Sequence, residues 1–518
     1  MFRITLSRVV RPFAVALALT LILAACAPSS PGGAPAPTSA PKARTDVVIA
    51  TQWVPTSLDP TIDSIMYSEW LHVFDRIIDV SSEVKLVPSL ATSWQNVDPV
   101  TWEFKLRQGV KFHNGKPLTA KDVKFTMDRI LDPNTKSRQV SVWFNQVASL
   151  AVVDDYTFRV TTKVPYPSFP EYFSFLTVVP ADTFQEMGAE KFAQNPVGTG
   201  PYKLVEWVKG DHVTLEANPD YWGGAPSIKK VTIRNVVEPS TRLAMLRSGD
   251  ADIIDIVPYS EVGALAADPQ FKTGEHQSME VVWIGMNSFK PPFTDVKVRQ
   301  AFNYAVNWDE IIQKVLYGKA VHVASSIGEL TFGWDSNLKP YPYDPEKAKQ
   351  LLAEAGYPQG LTVDFDCPTG RYAMDKDVCE AVASQLAKAG IKANLKTAEW
   401  GVFWTKFLAK ELPGLHLVGC QNASGGDFDL CNRLHYHSKV RGIYYNSPKV
   451  DALLDEEASI MDRSAREAKL KSLLAVIKDE APWIFGYQEK FVVAHKKDLN
   501  WTPRADVFLR ANQMSWSK

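Results

Sequence analysis

Residues 197–224 constrain this chain more than any other stretch. The segment opens on a glycine turn, Gly198-Thr199-Gly200-Pro201, and runs into a strand. It turns at Gly210-Asp211 and returns as a second strand with Val213 and Leu215 on one face, until Asn218-Pro219 ends it. A turn dipeptide between alternating runs is a strong local hairpin signal, and glycine ahead of aspartate predicts a type II′ turn. Trp207, Tyr221 and Trp222 are expected to pack on the hairpin. The stretch reads as the place where the chain re-enters a main domain after an inserted one.

The chain has 518 residues, too many for one domain; at roughly 100–200 residues each, about two to four are expected. With 45% hydrophobic and 22% charged residues it can bury a large core. A net charge of −1 gives no sign of nucleic acid as a partner. The 15 Trp and 17 Tyr can serve a core or wall a ligand cleft.

The N-terminus reads as an export signal. Arg3, Arg8 and Arg11 precede an apolar run, Phe13 to Ala24, that is short for a membrane span. It ends Leu23-Ala24-Ala25-Cys26, which resembles a bacterial lipobox; that implies residues 1–26 are a lipoprotein signal and Cys26 carries lipid. Residues 27–45, rich in Pro, Ala, Ser and Gly, cannot bury a core and are expected to form a disordered tether. In an exported protein the four other cysteines favour disulfides, pairing most simply as Cys367–Cys379 and Cys420–Cys431. Each closes a short loop, worth about 3 kcal/mol in the chain-entropy model. A zinc site is the rival, but no C-x₂-C occurs, and His435 and His437 are too close in sequence for the usual spacing.

Along the chain, Val47–Thr51 reads as a strand and Tyr67–Ile78 as a helix with Leu71, Phe74 and Ile78 at helical spacing. Trp102 to Arg107 alternates, placing Trp102, Phe104 and Leu106 on a core. Thr119 and Asp122 form a capping box ahead of Val123, Met127, Ile130 and Leu131. Pro239–Arg247 is a helix stopped by Gly249, and Trp283–Asn287 is expected to begin a further lobe. From there helices capped by Asn307 and by Asp344-Pro345, the helix 375–389, and strands at 361–366, 391–395 and 415–419 alternate as in a layered α/β lobe. Residues 451–479 read as mostly helix and 484–494 as extended.

Several blocks together carry a family resemblance: Ser57-Leu58-Asp59-Pro60, Val87 to Trp94, Gln108 to Asp128, residues 197–224, and Pro291-Pro292-Phe293 with Val298 to Phe302. As a set they closely resemble the peptide/nickel class of extracytoplasmic solute-binding proteins, the receptors of ABC importers. The resemblance implies an α/β, two-lobed periplasmic-binding-protein-like fold of class II type with an additional small α+β domain. Residues 46–83, 195–284 and 488–518 would form lobe I, residues 84–194 the inserted domain and residues 285–487 lobe III. It further implies a monomer without cofactor, anchored by lipid in the cell envelope, that hands a small solute to membrane permease subunits driven by cytoplasmic ATPases.

No H-E-x-x-H, G-x-S-x-G or Walker loop is present. Asp427 and Asp429 could form a carboxylate pair, but a general acid and base must both be aimed at one bond and no hydrolase motif accompanies them, which argues against an envelope hydrolase. The binding candidates lie at strand ends, where open α/β lobes place ligand loops. Arg371 offers a planar fork for a carboxylate, Tyr372 a ring or hydroxyl, and Trp400 a wall; surface or core roles are the alternatives. Trp53 and Ser57 follow the first strand, in the loop that relatives use to touch ligand backbone. Dipeptide receptors often pair the ligand's amine with an Asp early in the loop that here reads Gln421 to Asp427. Asn422 occupies that region, so Asp427 or Asp429 fills the role, or the solute is an amine-free sugar, opine or other compound.

Overall fold

The computed structural model describes residues 44–63, 66–421, 426–439 and 444–517. Cys26 and residues 27–43 lie outside them, as does Asn422.

Among the described residues, eleven strands form one mixed sheet. Its order is Ile391–Glu399, Leu361–Thr369, Leu415–Gln421, Phe271–Met286, Trp483–Lys496, Ile253–Ile254, Asp46–Thr51, Lys230–Asn235, His212–Ala217 and Tyr202–Val208, with Ala320–His322 added on Trp483–Lys496. Two strands in the middle are far longer than the rest. Phe271–Met286 and Trp483–Lys496 run antiparallel from Phe271 opposite Lys496 to Gly285 opposite Trp483. At one end Trp483–Lys496 pairs with Ile253–Ile254; at the other, Phe271–Met286 pairs with Leu415–Gln421. The two long strands therefore join the strands Ile253–Ile254 and Leu415–Gln421 into one sheet. The expected lobe start at Trp283 falls inside one continuous strand, because the apolar run from Met279 to Met286 extends a strand already begun at Phe271.

The hairpin after the glycine turn forms as Tyr202–Val208 and His212–Ala217, with Val213 and Leu215 buried. Its loop has three residues, Lys209 to Asp211, rather than the two of a type II′ turn, with Gly210 at φ +81°. The left-handed residue in a three-residue loop is where glycine avoids a Cβ clash. Gly198 and Gly200 have a different reason. A Cβ on Gly198 would stand 2.0 Å from the Val73 carbonyl oxygen, and one on Gly200 2.5 Å from the Val73 carbonyl carbon. The turn is pressed against the end of the Ser68–Val73 helix, where the Gly200 amide donates to Val73 O at 2.9 Å. Beside it the buried Asp75 carboxylate accepts from Thr199 Oγ1 (2.9 Å), Tyr221 Oη (2.8 Å) and Trp222 Nε1 (2.7 Å). One acid thus ties both ends of the 197–224 stretch to the preceding segment. That segment stops being helical at Val73, with Phe74 extended and Ile78 opening a short strand. The expected helix to Ile78 fails because the backbone there bonds to other segments: the Ile77 amide donates to Leu176 O at 2.9 Å, Ile77 O accepts from the Ala91 amide at 2.8 Å, and Ile78 opens the strand paired with Leu86–Pro88.

A separate four-stranded antiparallel sheet, in the order Ala91–Asp98, Thr101–Leu106, Thr157–Thr162 and Val147–Asp154, forms the small α+β domain. Phe104 pairs with Phe158 and their rings stack at 5.0 Å. Full burial of a ring of this size contributes about 1.5–3 kcal/mol. The helix Ala120–Leu131 covers the sheet with Val123, Met127 and Ile130, and its Thr119–Asp122 capping box is formed. In the other lobe, the parallel strands Leu361–Thr369 and Ile391–Glu399 are joined through the helix Asp375–Lys388. The helix Trp400–Leu408 then leads to Leu415–Gln421. Cys367 and Cys379 bridge the first of these strands to the helix after it. Cys420 is disulfide-bonded as well; the side chain of Cys431 lies outside the described residues. Among the described residues no helix is long and apolar enough to cross a membrane.

Candidate functional site

The three parallel strands of the second lobe lie side by side, so the loops leaving their C-terminal ends meet. Arg371 and Tyr372 follow Thr369, and Trp400 starts the helix after Glu399. The Asp375 carboxylate pins the first loop by accepting from the Arg371 and Tyr372 amides at 3.0 and 3.3 Å. The Arg371 guanidinium lies 4.6 Å from the Tyr372 ring centre and 5.7 Å from that of Trp400. The two rings meet edge to face at 6.0 Å. These residues are not sealed in core: the Arg371 side chain is 29% exposed and Trp400 is half-buried. Tyr372 is buried, and its hydroxyl accepts from the Gly419 amide at 2.7 Å.

The two long strands meet this group where their pairing slips, between Gln277 opposite Lys490 and Val281 opposite Gln488. Gln488 holds the bulge by donating to Ser278 O at 2.7 Å. A β-bulge bends a strand locally and re-aims its side chains. Here it delivers Glu280, whose carboxylate accepts from Arg371 Nη2 at 2.6 Å. Glu489, on the partner strand, accepts from the Ala373 amide at 3.3 Å. Burial opposes the Arg371 charge, but Glu280 more than offsets it and the guanidinium pKa lies above its ordinary value. Burial, and then Glu280, push Glu489 well above the usual carboxylate range. Glu280 therefore holds the Arg371 fork, while Glu489 of the other long strand holds the backbone of the same loop at Ala373. Glu280 and Glu489 escaped the sequence reading; the signal available was an acid inside an apolar run of each long strand, Glu280 within Met279–Met286 and Glu489 within Trp483–Lys496.

Asp427 and Asp429 belong to a second group. Asp427 is buried and paired two-fold with Arg466, at 2.6 and 2.8 Å, and Arg466 Nε donates to Glu457 at 2.9 Å. Asp429 begins the helix Asp429–Tyr436, and its carboxylate accepts from Ser168 Oγ of the small domain at 3.2 Å. The two acids are joined by the Asp429 amide donating to Asp427 at 2.9 Å.

Trp53 and Ser57 lie on the loop after Asp46–Thr51, in the other lobe. Trp53 is half-buried, and its carbonyl accepts from Asn235 Nδ2 at 2.6 Å. Ser57 Oγ accepts from the Asp59 amide at 3.0 Å. Ser57 also borders a surface cleft of about 560 Å³ with Trp207, Asn195 and Lys209, which includes neither Arg371 nor Trp400. Among the described residues no group of three His, Cys, Asp or Glu side chains is placed to hold a metal ion.

Residues 85–432 match the model of the bacterial extracellular solute-binding proteins, family 5. The heme-binding protein A of Haemophilus influenzae is 31% identical over 90% of this chain and 92% of its own length. The glutathione-binding protein GsiB of Pectobacterium atrosepticum is 30% identical over 88% and 90%. The ABC transporter-associated periplasmic binding protein DppA of Helicobacter pylori, solved in complex with the peptide STSA, superposes with a TM-score of 0.78 at 26% identity. That match covers 92% of this chain and 99% of that one.

Proposed function

The chain belongs to the bacterial extracellular solute-binding proteins of family 5, and from that membership we propose that it captures peptide-class solutes between its two lobes for import. Proteins of this family are extracytoplasmic receptors that serve ABC importers and not enzymes. The lobes are assigned as residues 46–83, 195–284 and 488–518 against 285–487, with 84–194 inserted. Cys26 is the lipid attachment point; acyl chains contribute about 0.8 kcal/mol per buried CH₂ and hold the domain at the membrane. The receptor acts as a monomer, and its partners are permease subunits with cytoplasmic ATPases.

The observation that carries this reading is the crossing of the two long strands beside Arg371. A ligand drives closure only through contacts that differ between open and closed forms. Arg371, Tyr372 and Trp400 supply one wall of the site, and the Trp53–Ser57 loop the other. The peptide-class assignment draws on the glutathione-binding relative and on the peptide-bound structural neighbour.

A second reading is an acidic or neutral solute without an amine. It is favoured by Asp427, whose carboxylate is fully engaged by Arg466, and by Asp429, which faces the small domain rather than a ligand loop. Thermal-shift measurements on the mature chain separate the two. A ligand at one hundred times its Kd adds about 2.7 kcal/mol of stability. Shifts with tetrapeptides and glutathione but not with opines or oligosaccharides support the first reading, and the reverse pattern supports the second. No shift with any small solute contradicts both.

A further inference from the structure

The small domain meets the second lobe along a seam with more acid than base. Ser168 and Glu171, with Tyr166 and Tyr172, come from the small domain. Across from them stand Asp427 and Asp429, Glu457 at the end of the helix Pro448–Glu457, and Arg463 and Arg466 on the helix Arg463–Glu480. Leu430, next to Asp429, is buried in the small domain's core, so the contact excludes water. Direct polar ties across the seam are Ser168 Oγ to Asp429 at 3.2 Å and Arg463 Nη1 to Glu171 at 3.2 Å.

The charges do not balance. Glu171, Asp427, Asp429 and Glu457 are all buried, whereas Arg466 is the one arginine of the group that is. Arg463 is 64% exposed, and Arg433 is part-exposed, donating to Asp455 at 2.5 Å with Glu457 at 3.9 Å. Asp455 also pairs with His437 at 3.1 Å. Arg466 spends its bonds on Asp427 and Glu457. Among the described residues, three buried carboxylate oxygens of this group, Glu171 Oε2, Asp429 Oδ1 and Glu457 Oε1, have no hydrogen-bond partner. Unpaired buried carboxylates are costly, and like charges that share a site cannot all ionise.

We propose that this seam is a proton-operated latch: a proton held among Glu171, Asp429 and Glu457 closes the small domain on the second lobe, and its loss to solvent loosens it. Burial first, and then Asp427, raise Glu171 to about 7. Asp429 and Glu457 are raised as well, burial again being the main cause. All three shifts have the same sign. A carboxyl raised in the closed form stabilises it fully below the ordinary carboxylate range, and the stabilisation is lost as pH rises through the raised value. The latch is therefore shut in acid and slackens as pH rises to neutrality. In an envelope that follows the outside pH, retention of solute would fall with alkalinity.

The test is amide hydrogen exchange of the full mature chain without ligand, expressed as protection factors so that the intrinsic pH dependence cancels. If the closed seam holds one more proton than the open one, protection of the helix Asp429–Tyr436 and of Phe169–Phe173 falls about tenfold between pH 5.5 and 6.5 in the wild type. Glu171→Gln, which imitates the protonated acid, keeps the fall below about twofold, and so does Asp429→Asn. A wild type flat over this range overturns the proposal, as does a full tenfold fall in both variants. If Glu171→Gln does not fold, the wild-type profile and Asp429→Asn decide. Because no ligand is present, failure of the latch leaves the solute reading standing, and failure of the solute reading leaves the latch testable.

Discussion

Asp75 offers the sharpest test of how the 197–224 stretch is fastened. Its carboxylate is buried and accepts three hydrogen bonds, from Thr199, Tyr221 and Trp222. Truncation to alanine strands three donors, each costing about 1–3 kcal/mol when buried without a partner, for roughly 6 kcal/mol in all. Against this stands the cost of the buried charge. Burial raises Asp75 to about 6 from an ordinary 3.8 despite the three donors. At about 1.4 kcal/mol per pKa unit, that charge costs about 3 kcal/mol at pH 7. Asp75→Ala therefore loses a net of about 3 kcal/mol at pH 7. Asp75→Asn behaves differently. Its carbonyl keeps Thr199 and Trp222, and its NH₂ donates to a rotated Tyr221 hydroxyl, with no charge to bury. The sign follows from the raised pKa: this group stabilises the fold below about pH 4, and the contribution disappears as pH passes through about 6. The assay is urea unfolding followed by tryptophan fluorescence at pH 4.5 and 7.5. Asp75→Ala within 0.5 kcal/mol of wild type (about the scatter of neutral surface changes), or Asp75→Asn with the wild-type difference between the two pH values, would refute the reasoning.

Other substitutions probe separate parts of the account. Gly200→Ala puts a Cβ 2.5 Å from the Val73 carbonyl carbon and is expected to cost about 1–3 kcal/mol, read as a lowered urea midpoint. Arg466→Met leaves Asp427 and Glu457 buried without their cation and is expected to cost about 3–5 kcal/mol, with partial recovery in the triple variant carrying Asp427→Asn and Glu457→Gln. Glu280→Gln removes the ion pair that holds the Arg371 fork; calorimetry with a bound carboxylate ligand is expected to register a change in affinity of about tenfold, while Lys297→Ala, at an exposed ion pair, leaves it unchanged.

Local signals in the sequence were read well because their causes are local. The Thr119–Asp122 capping box, Asn307 accepting from the Glu310 amide, and Asp344 ahead of Pro345 all act within one helical turn. The alternation that buries Trp102, Phe104 and Leu106 is equally self-contained. What escaped depends on distant partners. Gly198 and Gly200 are visible as a turn, but the reason for them is the Val73 backbone more than a hundred residues earlier. The strand Phe271–Met286 starts with a polar half, so Trp283 in its apolar half looked like a beginning. Asp427 looked available to a ligand because Arg466, 39 residues on, is invisible from its own loop. Of the candidate site, Arg371, Tyr372 and Trp400 were legible as strand-end residues and do lie together. Glu280, which holds Arg371, and Glu489, which holds the Ala373 amide, sit on the long strands and had no motif to announce them.

Native mass spectrometry of the mature chain, purified from its own host without denaturation, tests the central claim most directly. One small solute per chain is predicted, released on unfolding with the same mass before and after prolonged incubation with fresh protein. A chain that carries nothing and binds no offered solute, or a solute returned as cleaved fragments, contradicts the account.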